Sequence, residues 1–153
     1  MTLALGRVAG VTMALILVAG CESEAEKEKE KDQAKLKASA STAVCAKDAK
    51  AVQPPTGFPA TFPLPAGMVV TSAEDRGTGG LVVSGVTTTG FKDVLKGLQT
   101  DLPTKGFTPK NGETEPHDAE SDWSSAEYDG RWAIRELSQC GSQTLVSVVA
   151  RKK

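Results

Sequence analysis

Phe91-Lys92-Asp93-Val94-Leu95-Lys96-Gly97-Leu98-Gln99-Thr100-Asp101-Leu102 is the stretch on which the fold class turns. Phe91, Val94, Leu95, Leu98 and Leu102 recur at i, i+3, i+4, i+7 and i+11, with Lys92, Lys96 and Gln99 opposite. That spacing draws one apolar stripe along an α-helix and cannot be laid on a strand, whose side chains alternate with period 2. Thr89 is placed to cap the N-terminus, Asp93 stands in the first turn, and Pro103 followed by Gly106 marks the end. Gly97, beside the stripe, suggests a close approach to whatever the helix covers. A helix with a single apolar face must bury it against something, and the flanking sequence supplies a sheet.

Before the helix, residues 68–72 and 81–87 are rich in β-branched side chains and are separated by Arg76-Gly77-Thr78-Gly79-Gly80, a hairpin pattern. After it, residues 123–128 and 131–137 flank Asp129-Gly130, a dipeptide suited to a two-residue type I′ turn. With that turn Tyr128 faces Arg131 and Trp123 faces Glu136, so Trp123, Trp132 and Ile134 share the core side. Tyr128, Arg131 and Arg135 then project from the other side, as a possible binding surface for anionic groups. Residues 144–150 are apolar enough for a central strand. The expected fold is α+β: one amphipathic helix packed on an antiparallel sheet in two layers, in the order β-β-α-β-β-β, with a short extra strand admitted after the helix.

No catalytic pattern stands out. Gly-x-Ser-x-Gly, Ser-x-x-Lys, Gly-x-x-x-x-Gly-Lys and His-Glu-x-x-His are all missing from the sequence. The lone histidine, His117, sits among Glu113, Glu115, Asp118, Glu120 and Asp122. Residues 118–129 only superficially resemble a calcium loop, because Trp123 stands where the sharp turn wants Gly and Asp129 where a bidentate Glu is expected. Residues 113–122 therefore read as a solvated acidic loop, and neither a metal nor a cofactor is expected. The chain has 18 Lys+Arg against 19 Asp+Glu. Such near-balance gives no basic field for nucleic acid.

The N-terminus carries the one specific signal. Between Arg7 and Cys21 no residue is charged, and the run ends in Val18-Ala19-Gly20-Cys21. It is too short to span a bilayer, which takes about 20 apolar residues, and has the charge flank and small-residue ending of a secretory signal. This ending resembles the lipobox of bacterial lipoproteins. The resemblance implies cleavage by signal peptidase II before Cys21, with diacylglyceryl attached to its sulfur and fatty acid such as palmitate anchoring the chain. It also implies a place at the cell membrane or outer membrane, facing the extracytoplasmic side. Two or more acyl chains hold a protein stably at a bilayer where one does so only marginally. The resemblance does not extend into the globular part.

The organisation that follows is a signal peptide at 1–20, a charged, flexible tether at 21–52, a proline-rich lead-in at 53–65 and a globular domain at 66–153. Residues 22–37 hold six acidic and five basic side chains with Leu36 as the one large apolar residue, so they cannot build a core. Residues 53–65 contain five of the eight prolines, yet Phe58, Phe62 and Leu64 are too apolar for a free linker and are expected to pack along the domain. Cys45 and Cys140 remain once Cys21 is acylated, and in an oxidising compartment they are expected to pair. The expected function is a lipid-anchored, non-enzymatic binding or accessory module contacting an envelope protein or cell-wall component. A small-ligand carrier or sensor domain is the alternative, and an envelope enzyme the more remote one.

Overall fold

Helix and strands appear in the expected order in the computed structural model, which describes residues 43–153. Cys21, its leader and the tether up to residue 42 lie outside the described residues. Strands β1 (Val69–Asp75) and β2 (Leu81–Thr87) precede helix α1 (Phe91–Thr104). Strands β3 (Thr108–Thr114), β4 (Asp118–Ser124), β5 (Tyr128–Leu137) and β6 (Gln143–Lys152) follow it. All six form one antiparallel sheet in the order β1-β2-β6-β5-β4-β3, with the apolar C-terminal strand near the middle. The fold is α+β, one helix against an open sheet.

Phe91, Val94, Leu98 and Leu102 are the buried residues of α1, as the stripe requires. Each such side chain contributes about 1.5–3 kcal/mol relative to exposure. They meet Trp123, Trp132, Ile134, Val146, Val148 and Ala150 on the sheet. The N-cap is Gly90 and not Thr89, whose amide instead donates to Thr87 Oγ1. Pro103 stays inside the last turn. The Gly106 amide bonds the Pro103 carbonyl and the Phe107 amide the Leu102 carbonyl, and Gly106 takes φ 83°. That is the Schellman arrangement, in which a residue without Cβ accepts the left-handed conformation and Phe107 folds back on Leu102. Gly97 is not a close-approach site, since a Cβ there would meet nothing within 4 Å.

The proline-rich lead-in is part of the core. Phe62 is buried, and its ring lies 5.2 Å from both Phe107 and Trp123. Phe58 and Leu64 pack against the same cluster. On the opposite side of the sheet, Ala43, Ala46, Ala49 and Cys140 cover Val86, Leu137 and Leu145. The Cys45 and Cys140 sulfurs are at bonding distance across a sequence separation of 95, stapling this N-terminal stretch to the β5–β6 connection.

Two expectations change. Asp129-Gly130 is not a turn: both residues lie inside β5, and the chain reverses at residues 125–127, where the Ser125 amide donates to the Tyr128 carbonyl. Trp123 pairs with Gly130 and Ser121 with Trp132. The cause is steric. A Cβ on Gly130 would lie 2.3 Å from Trp123 Cζ2 and 2.1 Å from the Val149 carbonyl oxygen, so the glycine is there to leave room for the indole against the strand. The register slides by an even number of residues, which leaves Trp123, Trp132 and Ile134 on the core side. Tyr128 does change side, because without a turn at 129–130 it alternates in phase with Trp132 and packs against the helix-side core.

The second change concerns residues 113–122, which form a hairpin. Strands β3 and β4 pair across a tip at residues 115–117, with the Glu115 amide donating to the Asp118 carbonyl. Along β4, Ala119, Ser121 and Trp123 are buried while Asp118, Glu120 and Asp122 point outward.

Candidate functional site

Arg131 and Arg135 occupy alternate positions of β5 on the sheet face away from α1, directly across from Val149 and Leu145 of β6. They do not present free positive charge. The Arg131 side chain is buried, with Nη1 donating to Glu120 Oε1 and Nε to Asp122 Oδ1, both at 2.9 Å. Arg135 Nη2 donates to Asp118 Oδ2. The outward carboxylates of β4 thus neutralise the guanidinium row of β5. Tyr128 is on the other face, where its hydroxyl donates to the Gly57 carbonyl at 2.8 Å. The three residues expected to share one surface are therefore split between two.

Clefts that sequence patterns did not single out lie on the helix side, two of them among the described residues at opposite ends of α1. One lies at the N-terminal end of α1, with Gly90, Phe91, Lys92 and Asp93 on one wall and Pro116, His117 and Glu136 on the other. His117 Nδ1 is 2.7 Å from Glu136 Oε2, and the Glu136 amide donates to the His117 carbonyl at 2.8 Å. The Ser142 side chain and then His117 hydrogen-bond the Glu136 carboxyl and hold it below the usual carboxylate range. The imidazole itself is largely exposed, which suits a hairpin-tip residue better than a buried acid or base. Among the described residues no group of three or more His, Cys, Asp or Glu side chains could hold a metal ion.

The second cleft opens at the other end of the domain, between the lead-in, the turn after α1 and the β4–β5 turn. Gly57, Phe58, Pro59, Phe107 and Tyr128 give it apolar walls, and Lys105 and Glu127 stand at its border. It is shallow and continuous with solvent. Beneath it the core is filled by rings in edge-on contact, with Phe107 and Trp123 centroids 5.2 Å apart and nearly perpendicular. Its components come from three distant stretches, so only the alternation of Phe and Pro in the lead-in hinted at it.

Among the described residues no helix is long and apolar enough to cross a membrane. No family model, no curated protein and no solved structure matches the chain.

Proposed function

We propose that this protein is a lipid-anchored, exported bacterial lipoprotein that acts as a non-enzymatic binding or accessory module at the cell envelope. Val18-Ala19-Gly20-Cys21 carries the reading, because the small residues before a lone cysteine fit signal peptidase II and acylation of Cys21. The adjacent sulfurs of Cys45 and Cys140 support it, since such pairs persist in oxidising compartments. The anchor holds the domain on the extracytoplasmic side of the cell membrane or outer membrane.

Contact with a partner is assigned to the cleft of Phe58, Pro59, Phe107 and Tyr128, at the end of the sheet away from Cys140. Aromatic walls with one cation and one carboxylate at the border suit an envelope protein better than a nucleic acid. The neutralised arginine row argues against an anionic cell-wall polymer on the other face. The ring-filled helix–sheet interface favours surface contact over a small-ligand carrier. Cys21→Ala should move the protein from the membrane to the soluble fraction, and unchanged partitioning overturns the anchor. A photo-crosslinker at Tyr128 in intact cells should capture a discrete partner, while one at exposed Lys96 should not. Equal capture at both sites removes the assignment to the cleft.

A further inference from the structure

Residues 43–52 lie on the sheet face away from α1 as a short lid, and their non-covalent hold on it is slight. Ala43, Ala46 and Ala49 pack on Val86, Leu137 and Leu145, which are 1, 1 and 4% exposed beneath them. Among the described residues, two hydrogen bonds reach the sheet from this stretch: the Ala46 amide donates to Gln143 Oε1 and the Val52 amide to the Val70 carbonyl, each at 2.8 Å. Val44, Lys47, Asp48, Lys50 and Val52 are exposed. A methyl is the smallest apolar side chain to bury, while every residue held in place gives up backbone freedom. The Cys45–Cys140 bond is therefore what keeps the lid down.

We propose that this bond is a redox-operated latch: a dithiol oxidoreductase outside the cytoplasm reduces it, releasing residues 43–52 and baring the apolar strip of Val86, Leu137 and Leu145. Access is the first argument. Neither cysteine is buried, and Cys140 stands between the exposed residues Gln139 and Gly141. A thiolate can reach the bond while the domain is folded, and exposed or strained disulfides are the ones that exchange readily. The connection carrying Cys140 is the second. Gly141 and Ser142 take φ 66° and 63°, and Ser142 is the one residue with a Cβ held in the left-handed region among the described residues. Such strain persists only while the surroundings impose it, and freeing Cys140 from Cys45 lets it relax.

One thiolate of the donor attacks one of the two sulfurs, the Cys45–Cys140 bond breaks and a mixed disulfide forms. The donor's second thiolate displaces it. The donor leaves as a disulfide, and Cys45 and Cys140, having taken two electrons and two protons, remain as thiols. The strip so uncovered lies on the opposite side of the sheet from the cleft of Phe58 and Tyr128, and the inference depends neither on that cleft nor on acylation of Cys21.

Dithiothreitol is the probe, added to the folded full chain, with the gain of two hydrogens read by intact mass. Reduction should proceed without denaturant. The amides of Ala46, Asp48, Ala49 and Val52, all bonded in the closed form, should then exchange at least about tenfold faster while β5 and β6 keep their protection. Trypsin should cut after Lys47 and Lys50 faster by a similar factor. Cys45→Ala combined with Cys140→Ala should show the same open lid with no reductant present. A bond that yields to dithiothreitol only in urea overturns the proposal, as does a reduced protein whose lid amides and tryptic rates are unchanged. Loss of protection in β5 and β6 together with the lid makes the bond a staple of the whole fold and equally refutes the latch.

Discussion

Replacing Gly130 by Ala tests the register of the sheet at its most constrained point. A Cβ there would sit 2.1 Å from the Val149 carbonyl oxygen, 2.3 Å from Trp123 Cζ2 and 2.5 Å from Trp123 Cε2. None of these atoms can move cheaply. The carbonyl belongs to the β5–β6 ladder at the Gly130–Ala150 pair, and Trp123 is 1% exposed and wedged between Phe62 and Phe107. Overpacking a filled core costs about 1–3 kcal/mol. Two simultaneous clashes, one with backbone, put Gly130→Ala at about 3 kcal/mol, which is more than a hundredfold in the folding equilibrium. For a domain near 100 residues that lowers Tm by roughly 12–24 °C. Urea denaturation followed by tryptophan fluorescence should show a lower midpoint with unchanged slope. Ala126→Gly, in the true turn, should stay within about 0.5 kcal/mol of wild type. If Gly130→Ala is as stable as wild type, Gly130 does not lie beneath Trp123 and the pairing of β4 with β5 must follow a different register.

Replacing both Cys45 and Cys140 by Ser should cost about 2–5 kcal/mol, since the bond closes a separation of 95 residues; denaturation with and without reductant should differ for wild type and coincide for the variant. Arg131→Ala removes the cation shared by Glu120 and Asp122, side by side on the outer face of β4, and should cost about 2 kcal/mol, between an exposed pair and a fully buried one. Arg135→Ala, at a more exposed pair with Asp118, should cost less than about 1 kcal/mol by the same denaturation assay. Because the folded Glu136 carboxyl is held below its ordinary range, its contribution to stability is complete above the unfolded carboxylate pKa and is lost as pH falls through the lowered folded value. Ser142→Ala removes the largest cause and should raise the Glu136 pKa in an NMR titration; an unmoved titration contradicts the assigned hydrogen bond.

The amphipathic stripe of α1 and the side of the sheet taken by Trp123, Trp132 and Ile134 were legible in the residues alone. Helical period and strand parity are local properties, and parity survives any even slip of register. β4 was also present in the pattern Asp-Ala-Glu-Ser-Asp-Trp of residues 118–123, which alternates with period 2. Its inward residues Ala119 and Ser121 are too small or polar to announce burial, so in the sequence the carboxylates outweigh them. β3 is exposed along its whole length and has no alternation to detect.

By itself the sequence determined the α+β class, the order of the elements, the core face of the helix and the expectation of an acylated Cys21. Each follows from residues close together in the chain, where spacing alone dictates geometry. Only the tertiary structure decided what Gly130 is for, which face Tyr128 takes and how Arg131 is neutralised. A glycine signals equally a turn and a neighbour pressed against the backbone, and the choice belongs to Trp123 and Val149, which reach it from two other strands. The same holds for the cleft of Phe58, Phe107 and Tyr128, which exists because distant apolar side chains had to leave water together.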